Sequence, residues 1–182
     1  LNIAKVKFIQ QMKLTHPNFN VKATIRKCGS QNGSSIDLGE APKSSEGIYQ
    51  LAHGDKVMFL VENTGKTPGF PAILNVANDT VVSIFPFFKN KNDHLSENVT
   101  SLLQVKQQLK SPTKAFGHPC FVAKYSENVE MYKVFLTEKD VGLWKMTTPK
   151  SAPSMRSIGK DETKIPPIAG KSLEIWVKTK KK

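Results

Sequence analysis

Four histidines (His16, His53, His94, His118) and two cysteines (Cys28, Cys120) are the side chains best suited to hold a metal or attack a substrate. His118 and Cys120 lie two apart, so on a strand they face the same way, as a metal pair or a Cys–His dyad requires. A zinc site needs three or four ligands, and an activated thiol needs a third group to orient its base. Nothing near these two in sequence supplies either, so Cys120 reads as a small packed hydrophobe. Asp37 with Glu40, and Glu127 with Glu130, have the spacing of paired carboxylates. Both pairs sit in turn-rich stretches, where a solvated carboxylate is the default. The chain carries no Gly-rich phosphate loop, no Gly-x-Ser-x-Gly elbow and no His-Glu-x-x-His. The expectation is a non-enzymatic chain with no catalytic residue, no metal site and no cofactor.

Aromatic side chains are the better candidates for binding. In Phe85-Pro86-Phe87-Phe88, Pro86 breaks the strand alternation, so Phe87 and Phe88 need not both be buried. A hydrophobic corner closing the core is the default, and an exposed apolar patch for a protein partner is the alternative. Trp144 and Trp176 pose the same choice, which makes Phe87, Phe88, Trp144 and Trp176 the candidate partner-binding residues. For Cys28 and Cys120 a disulfide is open, with two separately packed side chains as the default. Three matches to the glycosylation triplet, at Asn32, Asn78 and Asn98, are of a kind that arises often by chance.

The formal charge of +12 suggests nucleic acid until it is located. Residues 1–144 hold 17 Lys and Arg against 12 Asp and Glu, whereas residues 145–182 hold 10 against 3. The excess is thus mainly C-terminal, without the interleaved aromatics of a single-strand binder, and nucleic acid is disfavoured as a partner. No apolar run reaches the roughly 18 residues of a membrane span, and no stretch reads as a signal peptide.

These residues must be positioned by short strands, because 11 Gly and 11 Pro break the 182-residue chain into short runs. Val6, Phe8, Met12 and Leu14 share one parity and predict a first strand over residues 5–14, with a short helix as the alternative. Phe19, Val21, Ala23 and Ile25 alternate with polar residues in a second strand. Residues 29–47 read as a long loop. Residues 56–62, 72–76 and 80–85 read as a three-strand antiparallel meander, with the turn Ala77-Asn78-Asp79 and Pro86 as its stop. Residues 98–110 fit a short amphipathic helix. Strands are expected at 120–125 and 130–137, joined by the turn Ser126-Glu127-Asn128, and at 173–177. The resulting fold class is all-β, an antiparallel β-sandwich or a partly open barrel with at most one short helix. One domain spans residues 1–177, with long loops at 29–47, 89–118 and 138–171 and a basic tail at 178–182.

The order of features over residues 48–143 adds a resemblance. GIYQLAHGDKVMFLVEN, then TVVSIFPFFKNKND, then PCFVAKYSENVEMYKVFLTEKDVGL together resemble a bacterial family of domains of unknown function. Such domains occur C-terminal to caspase-like, metacaspase-type peptidase domains and in envelope-associated proteins. The most specific piece is Ile84-Phe85-Pro86; Phe87 stands where the family commonly has Asn. The resemblance implies an accessory or protein-interaction domain that regulates, positions or localises a caspase-like peptidase. The other reading is a cell-envelope ligand-binding module that recognises glycan or another surface component. Either role favours the bacterial envelope or the extracellular space.

Overall fold

A computed structural model describes residues 2–86, 102–111, 120–140, 142–143 and 168–182. Helix α1 (Asn2–Gln11) is followed by β1 (Val21–Gln31), β2 (Ser34–Glu40), β3 (Tyr49–Ala52), β4 (Lys56–Asn63), β5 (Phe70–Val76) and β6 (Val81–Phe85). Then come β7 (Gln108–Ser111), β8 (Phe121–Val122), β9 (Glu130–Thr137) and β10 (Gly170–Lys180). Sheet I has the order β2-β1-β4-β7, with β8 also pairing β4, and sheet II has the order β3-β10-β9-β5-β6. Every pairing is antiparallel except that of β10 with β3. The two sheets form a sandwich, as the alternating pattern predicts.

Alternation places the main core between the sheets. Ile25, Phe59 and Val61 of sheet I meet Ile73, Val134 and Leu136 of sheet II. Each such side chain contributes about 2 kcal/mol when fully buried. Sheet II also has a second apolar face, where Leu74, Val76, Met131 and Phe135 pack against Val6 and Ile9 of α1. The result is three layers: sheet I, sheet II and a helix.

The helix corrects the strand predicted over residues 5–14. Val6 and Ile9 are the fully buried pair, three residues apart, and Phe8 and Met12 flank them at a spacing of four. The shared parity of residues 6, 8, 12 and 14 is incidental to that helical spacing. After the helix, residues 14–16 run beside β10: Leu14 N donates to Ser172 Oγ at 2.8 Å, and His16 N donates to the Gly170 carbonyl at 2.9 Å.

Residues 29–47 are not one loop. β1 runs on to Gln31 and turns at Asn32 and Gly33, both with positive φ (50° and 73°), into β2. Asn-Gly suits this two-residue hairpin because both positions must be left-handed. Arg26 Nε meets both carboxylate oxygens of Asp37 at 3.1 and 3.2 Å across the pair. Past β2, Tyr49 donates its hydroxyl to Glu40 at 2.7 Å, and Lys43 sits over the Tyr49 ring.

The three-strand meander also needs correction. β5 and β6 do form a hairpin, closed by Ala77 N donating to the Thr80 carbonyl, but β4 belongs to the other sheet. Buried Asn63 ends β4 and organises the crossing. Its Nδ2 donates to the carbonyls of Thr67 and Leu103, and its Oδ1 accepts from Gly65 N at 3.0 Å. At Gly69 a Cβ would lie 2.6 Å from Leu136 Cγ, so the chain can pass there only without a side chain. The amphipathic helix expected at 98–110 is absent from its described part. Residues 108–111 are β7, and buried Leu103 bridges Gly69. β8 and β9 likewise lie in different sheets; β8 takes up only Phe121–Val122 of the strand predicted over residues 120–125, and the chain bends at residues 127–128 before β9. At the C-terminus, β10 pairs through Lys180, so the basic segment at 178–182 is largely strand rather than tail.

Cys28 and Cys120 form a disulfide, with Cα atoms 6.1 Å apart, and not two separate hydrophobes. It closes a loop of 92 residues, for which chain entropy gives a stabilisation of about 4.6 kcal/mol. Urea unfolding with and without reductant should show a loss of that order, and a thiol assay on the unreduced, unfolded protein should find no free thiol.

A second stabilising contact lies under α1. Lys133, 3% exposed, donates from Nζ to the carbonyls of Ile9 and Gln10, both at 2.9 Å, and lies 3.8 Å from Glu174. These carbonyls belong to the last turn of the helix, which has no intrahelical donor left for them. Lys133→Met should cost about 1–3 kcal/mol, as loss of hydrogen bonds from a charged donor does. Amide exchange should quicken first in α1; uniform exchange across the sandwich would contradict this role.

Candidate functional site

One end of the sandwich is held open by a short strand. β8 pairs with β4 only through Phe121 and Val122, after which the chain leaves sheet I. Ala123 N then donates to the Asp55 carbonyl, and the Ala123 carbonyl accepts from Gly54 N, both at 2.8 Å. Tyr125 N donates to His53 Nδ1 at 3.1 Å, and Ser126 N donates to the Thr179 carbonyl on β10. Lys178 Nζ closes the loop onto the Ser126 carbonyl at 3.1 Å. The segment after β8 is therefore stapled both to the turn at residues 53–55 and to the end of sheet II.

Behind this segment lies a cavity of about 260 Å³ between the sheets. Ile25, Leu51, Phe121, Val122, Ala123 and Val177 give it apolar walls; Lys124, Glu130, Tyr132 and Thr179 add polar groups. The Phe59 ring, 5.5 Å from Phe121 and 5.0 Å from Tyr132 between centroids, backs the aromatic wall. Tyr132 donates its hydroxyl to Glu130 Oε2 at 3.1 Å, and Asn75 Nδ2 reaches the same oxygen at 3.4 Å. Burial, with the Glu130 charge beside it, pushes the Tyr132 phenol well above its ordinary range. Thr179 is 4% exposed, and its hydroxyl has no protein hydrogen bond among the described residues.

The candidates singled out from sequence fall elsewhere. Phe87, Phe88 and Trp144, with His94 and His118, lie outside the described residues. Trp176 is described and exposed, but it lies on the outer face of sheet II, opposite Met131 and away from the cavity. Cys120 is in the disulfide, so it offers neither a thiolate nor a metal ligand. Asp37 and Glu40 are each held by a partner of their own, Arg26 and Tyr49. Burial would raise the Asp37 carboxyl, but the Gly39 amide and the Arg26 guanidinium outweigh it and hold it below the usual range. For Glu40 the Tyr49 hydroxyl, then Lys43, does the same. Among the described residues no three His, Cys, Asp or Glu side chains cluster as metal ligands.

Glu130 is the residue whose side chain the sequence reading misplaced. It starts β9, as the strand predicted over residues 130–137 has it, but its carboxylate faces the cavity with Tyr132 instead of standing solvated in a turn. The signal available was parity: Glu130, Tyr132, Val134 and Leu136 share one face of a strand.

No protein-family model matches the chain, and neither a curated protein nor a solved structure matches it. The site is therefore read from its own residues.

Because folding protects the Tyr132 proton, that contribution to stability is full below about pH 10, the ordinary tyrosine value. It is lost as pH rises through the folded value. In an absorbance titration at 295 nm, wild type and Tyr132→Phe should coincide near pH 10–11 while folded. An earlier, larger rise in wild type would show that the phenol is not protected.

Proposed function

We propose that this chain is a non-catalytic binding module that docks a protein partner at the β8 end of the sandwich. The observation that carries the reading is a local concentration of exposed apolar side chains. Val122 (50% exposed) ends β8 and lines the cavity, and Tyr125 (39%) and Val129 (40%) follow it in the segment leading to β9. Exposed apolar groups gathered beside a concave, stapled surface are the usual makings of a docking site. Much of sheet II is unavailable for that purpose, because α1 covers part of its outer face.

The resemblance over residues 48–143 supports a caspase-like peptidase as the partner, in the same polypeptide or the same complex. The module would then position or restrain the peptidase, not take part in its chemistry. The Cys28–Cys120 disulfide supports an oxidising compartment, in keeping with an envelope or extracellular setting. A glycan-binding reading draws on a different residue, Trp176, whose ring is exposed on the open part of sheet II.

The test is direct association of the chain with a metacaspase-type peptidase domain, measured by calorimetry. Val122→Asp should weaken binding about tenfold or more, as placing a charge in a desolvated contact does, while Trp176→Ala leaves it unchanged. Loss of binding on Trp176→Ala alone would move the contact to the other face. No association at all would end the peptidase reading.

A further inference from the structure

We propose that the cavity at the β8 end is a binding site for an organic ammonium group. The charged head would sit on Glu130 and the hydrocarbon between Phe121, Tyr132 and Val177. This inference rests on the cavity's own groups and does not depend on the partner reading above.

Three features select the ligand. The first is an acceptor with spare capacity. Glu130 Oε2 takes the Tyr132 hydroxyl and the Asn75 amide, while Oε1 accepts no hydrogen bond from the described residues. The ion pairs among the described residues, Arg26–Asp37, Lys43–Glu40 and Lys133–Glu174, all lie elsewhere. Lys124 also lines the cavity, but its ammonium is not within ion-pairing distance of Glu130, and its side chain is solvent-exposed.

The second feature is the Thr179 hydroxyl. Buried polar groups nearly always have a partner, so a buried hydroxyl without one, lining a cavity, marks a place for a ligand atom or a water. Glu130 is in register with Val177, and Thr179 is two residues further along β10, about 7 Å away along the wall. The cavity therefore offers two polar points on one apolar wall.

The third is the sign and size of the space. A carboxylate ligand would meet Glu130 with like charge, and a hydrocarbon without a head would leave Glu130 Oε1 and the Thr179 hydroxyl without a donor or acceptor. An ammonium brings three donors and no acceptor, and the aromatic faces beside it attract a cation. At about 260 Å³ the cavity lies just under the usual range for drug-sized ligands, which admits an amine of about ten heavy atoms or fewer. A free alkyl- or arylamine and the side chain of a lysine on another protein share this chemistry.

The experiment is an amide-resolved NMR titration of the full chain at neutral pH with benzylamine, benzyl alcohol and benzoate. Benzylamine should shift the amides of residues 121–124, 130–132 and 177–179, benzyl alcohol should bind at least tenfold more weakly, and benzoate should not bind. Glu130→Gln keeps an acceptor for Tyr132 and should weaken benzylamine about tenfold, and Thr179→Val should weaken it about threefold. Equal binding of the three compounds to wild type would overturn the proposal even if neither variant folds. So would unchanged affinity in a folded Glu130→Gln protein, or shifts confined to residues outside the cavity. n-Butylamine against Nα-acetyl-lysine methylamide then separates the two sources. Tighter binding of the second points to a lysine side chain, and tighter binding of the first to a free amine.

Discussion

Strand β9 is buried on both faces, and most of the architecture answers to that constraint. Tyr132, Val134 and Leu136 point into the core between the sheets, while Met131 and Phe135 point out under α1. A strand with two dry faces cannot carry a charge cheaply, yet Lys133 lies in the middle of this one. Its ammonium is tolerable because α1 ends directly above it. The last turn of a helix presents unpaired carbonyls with partial negative charge, and Lys133 supplies the donors they lack. Burial still lowers the Lys133 pKa, which the nearby Glu174 carboxylate partly offsets. The helix covers the sheet, and the lysine fixes where the helix stops.

The same reasoning explains which parts of the fold were legible from sequence. β1, β4, β9 and β10 are long and have at least one face in the core, so alternation or continuous apolar character announced them. β2 is a sheet edge with mostly exposed side chains, Ser34, Ser35, Leu38 and Glu40 among them, so it carries no burial pattern. Only Asn32-Gly33 marked it, through the backbone conformation that the turn demands. α1 was ambiguous because Phe8 and Met12, four apart, fit a two-residue and a helical period together, and it was Ile9, three residues from Val6, that distinguished them. Sheet membership was the least legible feature. Neighbouring strands in sequence usually pair, and nothing in the apolar pattern of β4 says that the chain crosses over at Asn63.

The candidate site shows why aromatic residues picked by sequence were a poor guide to it. Exposed rings such as Trp176 are conspicuous in sequence, but the cavity is assembled from five separate strands and the segment after β8. Its polar members come from positions that look ordinary one at a time. Glu130 follows a turn, and Thr179 lies between lysines. Only the pairing of β9 with β10 brings them to the same wall.

That the cavity lies at an end, and not on a face, follows from how the chain closes the sandwich. Sheet II is covered on one side by sheet I and over much of the other by α1. β8 pairs antiparallel with the start of β4, Val122 opposite Lys56, so the residues after Val122 have no further β4 partner to follow. Instead the chain leaves β4 after Val122 and is tied to Gly54, Asp55 and Thr179 by backbone hydrogen bonds. Those bonds satisfy the peptide groups of a segment that belongs to neither sheet, so it can stand away from the core without leaving buried polar groups unpaired. The space behind it is then a consequence of backbone hydrogen bonding, and the side chains that face it, Glu130 and Thr179, are free to meet something other than protein.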